Sequence, residues 1–191
     1  MAERFRSLFY EIDQQVCITP VNLGLNFTRD IPTGTDEILF SGGVRETFSA
    51  NPELKERVFQ FVRSVGEPIL GVCFGAQAIA RAHGARLIKL AEKRVGPHPI
   101  QITAPGDTFL DAYTDIPQEV YESHLWALDP GSFPAELQVM GISPDGVEAF
   151  AHRVLPQGGV QFHPERDIGS NSGLNLFDGL RKAVLDKKPK A

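Results

Sequence analysis

Residues 68–77 read PILGVCFGAQ, and this stretch decides which fold the chain can adopt. It joins an apolar run, typical of a buried β-strand, to a segment that we predict to be a helix over residues 75–83. Cys73 lies at the turn between them, flanked by Gly71 and Gly75. Glycines lack a Cβ, so the strand and the helix can approach each other closely there. The stretch therefore predicts a nucleophile elbow with a cysteine at its apex.

The predicted position of Cys73 favours reactivity of its thiol. At the start of a helix, unpaired backbone N–H groups and the positive end of the helix dipole stabilise a thiolate. A cysteine among small residues after a strand is nevertheless more often a buried core side chain. The elbow therefore needs support from a second segment of the chain.

Residues 159–165, GVQFHPE, supply that segment. They read as a short strand that ends at His163, with Glu165 two positions later. Histidine can take and return a proton near neutral pH, and a carboxylate can fix its tautomer and stabilise its charged form. Either residue alone could be an ordinary surface group. Together with Cys73, they form a candidate Cys-His-Glu triad.

The first half of the chain alternates strands and helices. We predict strands over residues 36–40 and 68–73, and helices over 52–65 and 75–83. Asn51 is the predicted N-cap of the first of these helices. Asparagine is favoured at that position, and the proline that follows it suits the first helical position. This alternation is typical of an α/β fold with a parallel sheet and right-handed connections.

The second half of the chain predicts antiparallel structure. Strands over residues 138–142 and 147–155 are separated by the turn 143–146, and a third strand ends at His163. A last helix over residues 173–185 carries an apolar stripe that suits packing on a sheet. The sheet is therefore expected to be mixed.

Composition limits the domain count and the compartment. The chain has 191 residues, of which 42% are hydrophobic, and its net charge is −5. This predicts a single domain over residues 1–191 with a frayed tail over 186–191. Two cysteines, Cys17 and Cys73, form no disulfide framework, and a working thiolate needs a reducing compartment. We therefore expect a cytoplasmic protein in which Cys17 is a core residue.

Several classes of partner are not expected. Lysine and arginine are scattered, so no basic face for nucleic acid is predicted. No apolar run approaches the roughly 20 residues of a membrane span, so no membrane association is expected. His83, His98 and His152 match no metal-ligand spacing, and we expect neither a metal nor an organic cofactor.

Three motifs resemble those of the class I, triad-type glutamine amidotransferases. They are residues 71–77 around Cys73, residues 161–165 (QFHPE), and the weaker Ser-Gly-Gly at residues 41–43. The resemblance spans roughly residues 36 to 182, with the motifs in the order of the family. It implies a three-layer, flavodoxin-like α/β fold, in which a mixed and mostly parallel central sheet lies between helices.

The resemblance also implies roles for individual residues. Cys73 would attack the side-chain amide carbon of L-glutamine, His163 would shuttle the proton to the leaving ammonia, and Glu165 would orient His163. The backbone N–H groups of Gly43 and Phe74 would form the oxyanion hole.

Three further residues are candidates for holding the substrate. Gln77 would do so one helical turn after the nucleophile, although Gln is also an ordinary residue in the first turn of a helix. Ser123 and His124 resemble a Ser-His pair near the bound glutamine of the family, although His124 could simply be a core histidine. With residues 93–97, KRVGP, this pair is similar to the GMP-synthetase-like branch.

Two features depart from the family pattern. Residues 5–16 follow a helical period where the family has its first strand. Either that strand is missing, in which case a partner or a second copy of the chain could cover the gap, or residues 5–12 form it. Val44 stands where the family commonly has proline, which would leave the oxyanion loop more flexible.

Three functional hypotheses therefore remain. The first is a glutaminase that supplies ammonia to a synthetase outside this chain, with an unknown acceptor. The second is a stand-alone hydrolase of γ-glutamyl amides or peptides. The third is a catalytically silent binding or regulatory module of the same fold, which the presence of Cys73, His163 and Glu165 disfavours.

Overall fold

The computed structural model describes the following parts of the chain: residues 4, 31–41, 48, 51–103, 110, 113–114, 117–166, 169–170 and 172–187. Several predictions lie outside these described residues. They concern the helical period and strand in residues 5–19, the core position of Cys17, the loop with Gly43 and Val44, and the end of the tail at 188–191.

Seven strands and three α-helices make up the described structure. The strands are β1 (Ile38–Ser41), β2 (Ile69–Val72), β3 (Leu87–Ile102), β4 (Gln118–Leu128), β5 (Leu137–Ser143), β6 (Gly146–His152) and β7 (Gln157–Val160). The helices are α1 (Pro52–Ser64), α2 (Phe74–Ala82) and α3 (Ser172–Leu185). All the helices that the sequence predicts in this part of the chain are therefore confirmed, to within one residue at each end.

The strands form one mixed sheet in the order β1-β2-β7-β6-β4-β3-β5. Strand β5 also pairs with β6, so β6, β4, β3 and β5 close into a four-stranded ring. Among the described strands, β1–β2 and β2–β7 pair in parallel, and the other pairings are antiparallel. The mixed α/β fold is confirmed, but the predicted predominance of parallel strands is not. The physical reason is that short turns in the second half of the chain can join only antiparallel neighbours.

Helix α1 begins as its sequence predicts. The side chain of Asn51 accepts a hydrogen bond of 2.9 Å from the backbone N–H of Leu54, and Pro52 occupies the first helical position. The helix buries one face through Leu54, Val58, Phe61 and Val62. Burial of that face against the rest of the domain provides most of the stability of such a short helix.

Helices cover both faces of the three strands β1, β2 and β7. Ile69 on β2 joins the apolar cluster formed with α1 and α2, whereas Leu70 and Val72 join a second cluster that contains the apolar stripe of α3. This alternation follows from the period of two residues in a strand. Within the described residues, no helix is both long and apolar enough to span a membrane.

Three glycines allow α2 to pack directly on the sheet. A Cβ at Gly75 would lie 2.0 Å from the carbonyl oxygen of Phe40, and a Cβ at Gly71 would lie 2.4 Å from the backbone nitrogen of Ala76. A Cβ at Gly159 on β7 would lie 2.7 Å from the Cβ of Ala76. These positions exclude any side chain, so they hold the start of α2 at a fixed place above β1, β2 and β7.

Candidate active site

Cys73 lies between β2 and α2 in a strained backbone conformation. Its φ and ψ angles are 51° and −108°, and it is the one described non-glycine residue with positive φ. Its N–H donates to the carbonyl of Val160 over 2.8 Å, and its carbonyl accepts from the N–H of Gln77 over 3.0 Å. Such a conformation costs about 1–3 kcal/mol and persists only where the surroundings enforce it. Strand β7 and helix α2 therefore hold the sulfur in place.

The thiol of Cys73 is protonated at neutral pH. Burial raises its pKa to about 12, and the negative charge of Glu122 adds to this effect, whereas a hydrogen bond from the Phe74 N–H lowers the pKa. The N–H of Phe74 at the helix start favours the thiolate, as the sequence predicts, but this effect does not set the net direction of the pKa shift. Desolvation of the charged form outweighs the stabilisation that the helix start provides. A base must therefore remove the proton.

His163 and Glu165, the other two members of the predicted triad, form a close pair. The Nδ1 of His163 is 2.7 Å from Oε1 of Glu165, and their side chains are 11% and 4% exposed. A carboxylate at Nδ1 leaves the lone pair of a neutral imidazole on Nε2. This Nε2 is buried and has no hydrogen-bond partner among the described residues, so the imidazole is not hydrogen-bonded to the thiol of Cys73.

The segment that carries His163 is not part of the strand, contrary to the sequence prediction. Strand β7 ends at Val160, after which the N–H of Gln161 donates to the carbonyl of Glu148 over 2.7 Å. The N–H of His163 then donates to the carbonyl of Tyr121 on β4 over 2.8 Å. After Val160, the backbone N–H groups of this segment donate to carbonyl groups of β6 and β4, so the segment no longer pairs with β2.

Gln77 contacts the backbone of β4 and a second glutamine. Its Nε2 donates to the carbonyl of Trp126 over 2.6 Å and to Oε1 of Gln161 over 3.0 Å. The Nε2 of Gln161 lies 3.7 Å from the sulfur of Cys73. Gln77 is predicted from the sequence to hold the substrate, whereas no role is predicted for Gln161. A polar residue inside the apolar run of residues 159–162 is the signal that could have identified it.

The structure places Ser123 and His124 on opposite faces of β4, as adjacent strand residues must be. The side chain of His124 is 2% exposed, and its Nδ1 is 2.9 Å from Oε2 of Glu122. Burial lowers the pKa of His124. Ser123 is partly exposed and pairs across the ladder with Val95.

Two buried glutamates lie near the site, and neither is predicted from the sequence. Glu122 on β4 and Glu148 on β6 are 2% and 1% exposed. Oε1 of Glu148 accepts a hydrogen bond of 2.6 Å from Oγ of Ser143. Burial raises the pKa of both carboxyl groups. Next to them, Asp145 receives two hydrogen bonds, of 2.6 and 2.7 Å, from the guanidinium of Arg94.

Phe74 and Gly43 are the remaining site residues that the sequence predicts. Phe74 is the first residue of α2, and its N–H points to the Cys73 thiol. Gly43 lies outside the described residues. No three His, Cys, Asp or Glu side chains in the described part of the chain are arranged to hold a metal ion.

A family model provides the decisive comparison. The model described as glutamine amidotransferase class-I matches residues 3–183 of the chain. The chain belongs to the class I glutamine amidotransferase family. Members of this family are generally glutaminases, and the match extends over the elbow, the QFHPE segment and the strands between them.

The curated relatives of this amidotransferase chain include a synthase and the small chain of another synthase. An aminodeoxychorismate synthase from Streptomyces griseus is 38% identical over 115 residues, which are 60% of this chain and 15% of that protein. The carbamoyl phosphate synthase small chain from Akkermansia muciniphila is 32% identical over 124 residues, which are 63% of this chain and 31% of that protein. The matched region is thus less than two thirds of the length of these relatives.

A solved structure shares the amidotransferase fold. A GMP synthase component from Thermoplasma acidophilum superposes with a TM-score of 0.73, covering 99% of this chain and 92% of that one. The two sequences are 22% identical, so the comparison supports the fold alone.

Proposed function

We propose that this class I amidotransferase chain is a glutaminase that hydrolyses the side-chain amide of L-glutamine and supplies the ammonia to a synthetase. The observation that carries the proposal is the geometry at Cys73. The protein forces this residue to a φ of 51° at the strand-to-helix turn and bonds its N–H to β7, three residues before His163. At a nucleophile elbow, the strained turn exposes the sulfur, so that it can attack an amide carbon.

In this proposal, His163 is the general base. As the amide enters, Nε2 of His163 takes the thiol proton of Cys73, and the sulfur forms a bond to the side-chain amide carbon. The C–N bond then breaks, and the imidazolium returns the proton to the leaving nitrogen, which departs as ammonia. Water then attacks the carbonyl carbon of the γ-glutamyl thioester while His163 takes one of its protons. The C–S bond breaks, the imidazolium returns the proton to the sulfur of Cys73, and glutamate is released. Glu165, 2.7 Å from Nδ1, stabilises the imidazolium.

One feature of the site supports this order of events. The raised pKa of the partly buried Cys73 thiol means that the free protein keeps its proton, so the nucleophile forms only when the base acts. We propose the N–H groups of Phe74 and Gly43 as the donors to the tetrahedral oxyanion. Such donors contribute most in a site that excludes water.

The proposal of a synthetase partner rests on the names of the relatives, which are synthases or a synthase chain. We also propose that the described α/β core extends to a single three-layer, flavodoxin-like domain. Helices on both faces of β1, β2 and β7 support this arrangement. A reducing compartment, such as the cytoplasm, suits the proposed thiol chemistry.

The test uses the purified chain and a glutamine-like electrophile, 6-diazo-5-oxo-norleucine. We expect covalent labelling of the wild type and of Cys17→Ser, no labelling of Cys73→Ser, and release of ammonia from glutamine that Cys73→Ser abolishes. Intact-protein mass spectrometry and a coupled glutamate assay measure these outcomes. Cys17→Ser is the matched control because the chain has two cysteines. Labelling that persists in Cys73→Ser would disprove the assignment.

The substrate preference is tested in the same assay. Turnover of γ-glutamyl peptides that greatly exceeds turnover of glutamine would replace the amidotransferase proposal with a stand-alone hydrolase. Absence of both activities and of labelling would indicate a silent module.

A further inference from the structure

Two buried glutamine side chains connect strand β4 to the sulfur of Cys73. The Nε2 of Gln77 donates to the carbonyl of Trp126 over 2.6 Å and to Oε1 of Gln161 over 3.0 Å. The Nε2 of Gln161 in turn donates to the sulfur of Cys73 over 3.7 Å. Gln77 and Gln161 are 5% and 0% exposed. Burial of amide groups costs free energy, which an apolar side chain at either position would avoid.

The contacts fix the orientation of both amide groups. A carbonyl oxygen only accepts hydrogen bonds, so the atom of Gln77 that faces Trp126 is the nitrogen. The second hydrogen of this nitrogen meets Oε1 of Gln161, which turns the nitrogen of Gln161 towards the sulfur of Cys73. Both hydrogens of the Gln77 amide are therefore used within the protein, and neither remains for a substrate.

The backbone holds both glutamines at the elbow. The N–H of Gln77 donates to the carbonyl of Cys73 over 3.0 Å, in the first turn of α2. The N–H of Gln161 donates to the carbonyl of Glu148 on β6 over 2.7 Å. The path from Trp126 to the sulfur therefore starts on β4, crosses α2 and ends on the segment that follows β7. Groups supported by packed helices and strands are positioned more precisely than groups on loops.

The amide of Gln161 can stabilise a thiolate without competing for the thiol proton. An N–H group donates and cannot accept, so the S–H proton of Cys73 stays available to Nε2 of His163, which has no partner among the described residues. Neutral sulfur is a weak acceptor, whereas hydrogen bonds to charged acceptors are roughly twice as strong as neutral ones. The contact therefore gains strength when the sulfur loses its proton, and this favours that step.

We propose that Gln161 donates a hydrogen bond that favours the thiolate of Cys73, and that Gln77 is a positioning residue that acts through Gln161. The inference rests on the proposed function in taking Cys73 as the nucleophile. It gives Gln77 a place behind the nucleophile, in contrast to the substrate contact that the family resemblance implies. The two roles differ in a measurable way. A substrate-binding residue changes KM, whereas a positioning residue changes the reactivity of the thiol when no substrate is present.

The experiment measures the rate at which methyl methanethiolsulfonate modifies Cys73 without glutamine, at about pH 8. All proteins carry Cys17→Ser, so that mass spectrometry reports Cys73 alone. Gln161→Met keeps the length of the side chain but removes the N–H donor. Loss of a hydrogen bond to a charged group lowers the thiolate fraction about tenfold, and the greater nucleophilicity of the remaining thiolate recovers roughly threefold. We therefore expect Gln161→Met to react about threefold more slowly than the background protein.

Gln77→Met tests the second half of the proposal. This variant keeps the donor of Gln161 but removes the group that orients it, so we expect slower modification, by up to about threefold. The double variant Gln77→Met/Gln161→Met should react at the rate of Gln161→Met, because the two residues act in one chain of contacts. In the glutaminase assay, Gln77→Met should lower kcat and leave KM unchanged. Circular dichroism verifies folding, and Gln77→Met alone decides the question if Gln161→Met does not fold.

Gln157→Met is the matched control. Gln157 is 1% exposed, its Nε2 donates to the carbonyl of Val62 over 2.6 Å, and its Oε1 is 2.8 Å from Nε2 of His83. It is therefore as buried and as well bonded as the two glutamines at the site. Gln157 begins β7 and pairs with Ile69, whereas Cys73 follows the other end of β2. We expect Gln157→Met to lose stability and to react at the rate of the background protein.

Three results would overturn the inference. The first is a rate for Gln161→Met that equals or exceeds that of the background protein. The second is an equal slowing in Gln157→Met, which would trace the effect to lost stability. The third is a background rate in Gln77→Met together with a raised KM, which would place Gln77 at the substrate. Failure of the proposed function would appear separately, as absent glutamine turnover in the background protein while the rates of thiol modification still differ.

Discussion

Substitution of Gly75 by alanine tests how closely α2 packs on the sheet. The added Cβ would lie 2.0 Å from the carbonyl oxygen of Phe40 and 2.5 Å from its carbonyl carbon, whereas ordinary contacts begin at 3.4 Å. Both of these atoms belong to the backbone of β1, so no side-chain rotation can relieve the overlap. The start of α2 must move away from β1 by roughly 1 Å or more, and Cys73 must move with it.

The expected loss of stability follows from this displacement. Overpacking of a well-packed core costs about 1–3 kcal/mol, and the better helix propensity of alanine offsets less than about 1 kcal/mol of it. For a protein of this size, each kcal/mol corresponds to about 2–4 °C in Tm. We therefore expect Gly75→Ala to lower Tm by up to about 12 °C. We also expect a loss of about 100-fold in glutamine turnover, because misplacement of a reacting group by 1 Å can cost that much.

The control is Gly173→Ala. Gly173 is the second residue of α3, just as Gly75 is the second residue of α2, but its added Cβ would meet its nearest neighbour at 3.7 Å. We expect Gly173→Ala to leave turnover unchanged and to keep or slightly raise the stability. Thermal unfolding followed by circular dichroism and a coupled glutamate assay measure both variants. Equal stability and equal turnover of Gly75→Ala and Gly173→Ala would refute the packing argument.

Three further predictions follow from the site. Cys73→Gly should be about 1 kcal/mol more stable than Cys73→Ala in urea unfolding, because only glycine adopts a φ of 51° without strain; a more stable alanine variant would contradict this. Glu165→Gln should retain a kcat well above that of His163→Ala, because Glu165 acts through the imidazole, and equal values would assign Glu165 a larger role. The free energy of unfolding should fall as pH rises above 4.5, because folded Glu122 and Glu148 keep protons that the unfolded chain releases. Urea unfolding at about pH 5 and about pH 8 measures this fall. It should be smaller in the double variant Glu122→Gln/Glu148→Gln, and an equal fall would contradict the prediction.

The sequence was informative wherever the cause of a feature is local. Asn51 and Pro52 predict the start of α1, and the structure shows that cap. The glycines around Cys73 predict a tight turn, and the overlaps that a Cβ would make at Gly71 and Gly75 explain why no other residue fits there. The family, too, could be named from short motifs, since the residues of each motif are adjacent in the chain.

The sequence was misleading where distant segments compete. The parallel strands that the alternating pattern predicts in the first half are present as β1 and β2. The long strand β3, which carries many exposed and charged residues, was not predicted at all. Its partner is β4, some thirty residues away, and that pairing provides its hydrogen bonds in place of a local signal. The net pKa shift of Cys73 could not be predicted either, because the helix start favours the thiolate as expected but burial opposes it more strongly.

The sequence by itself therefore determined the residues at the elbow, the helices that surround it, and the family. Only the tertiary structure decided that Glu122 and Glu148 would both be buried, that Gln161 would reach the sulfur of Cys73, and that burial would raise the pKa of its thiol. The physical reason is that backbone conformation at a turn depends on neighbouring residues, whereas desolvation and charge depend on every group that folding brings near.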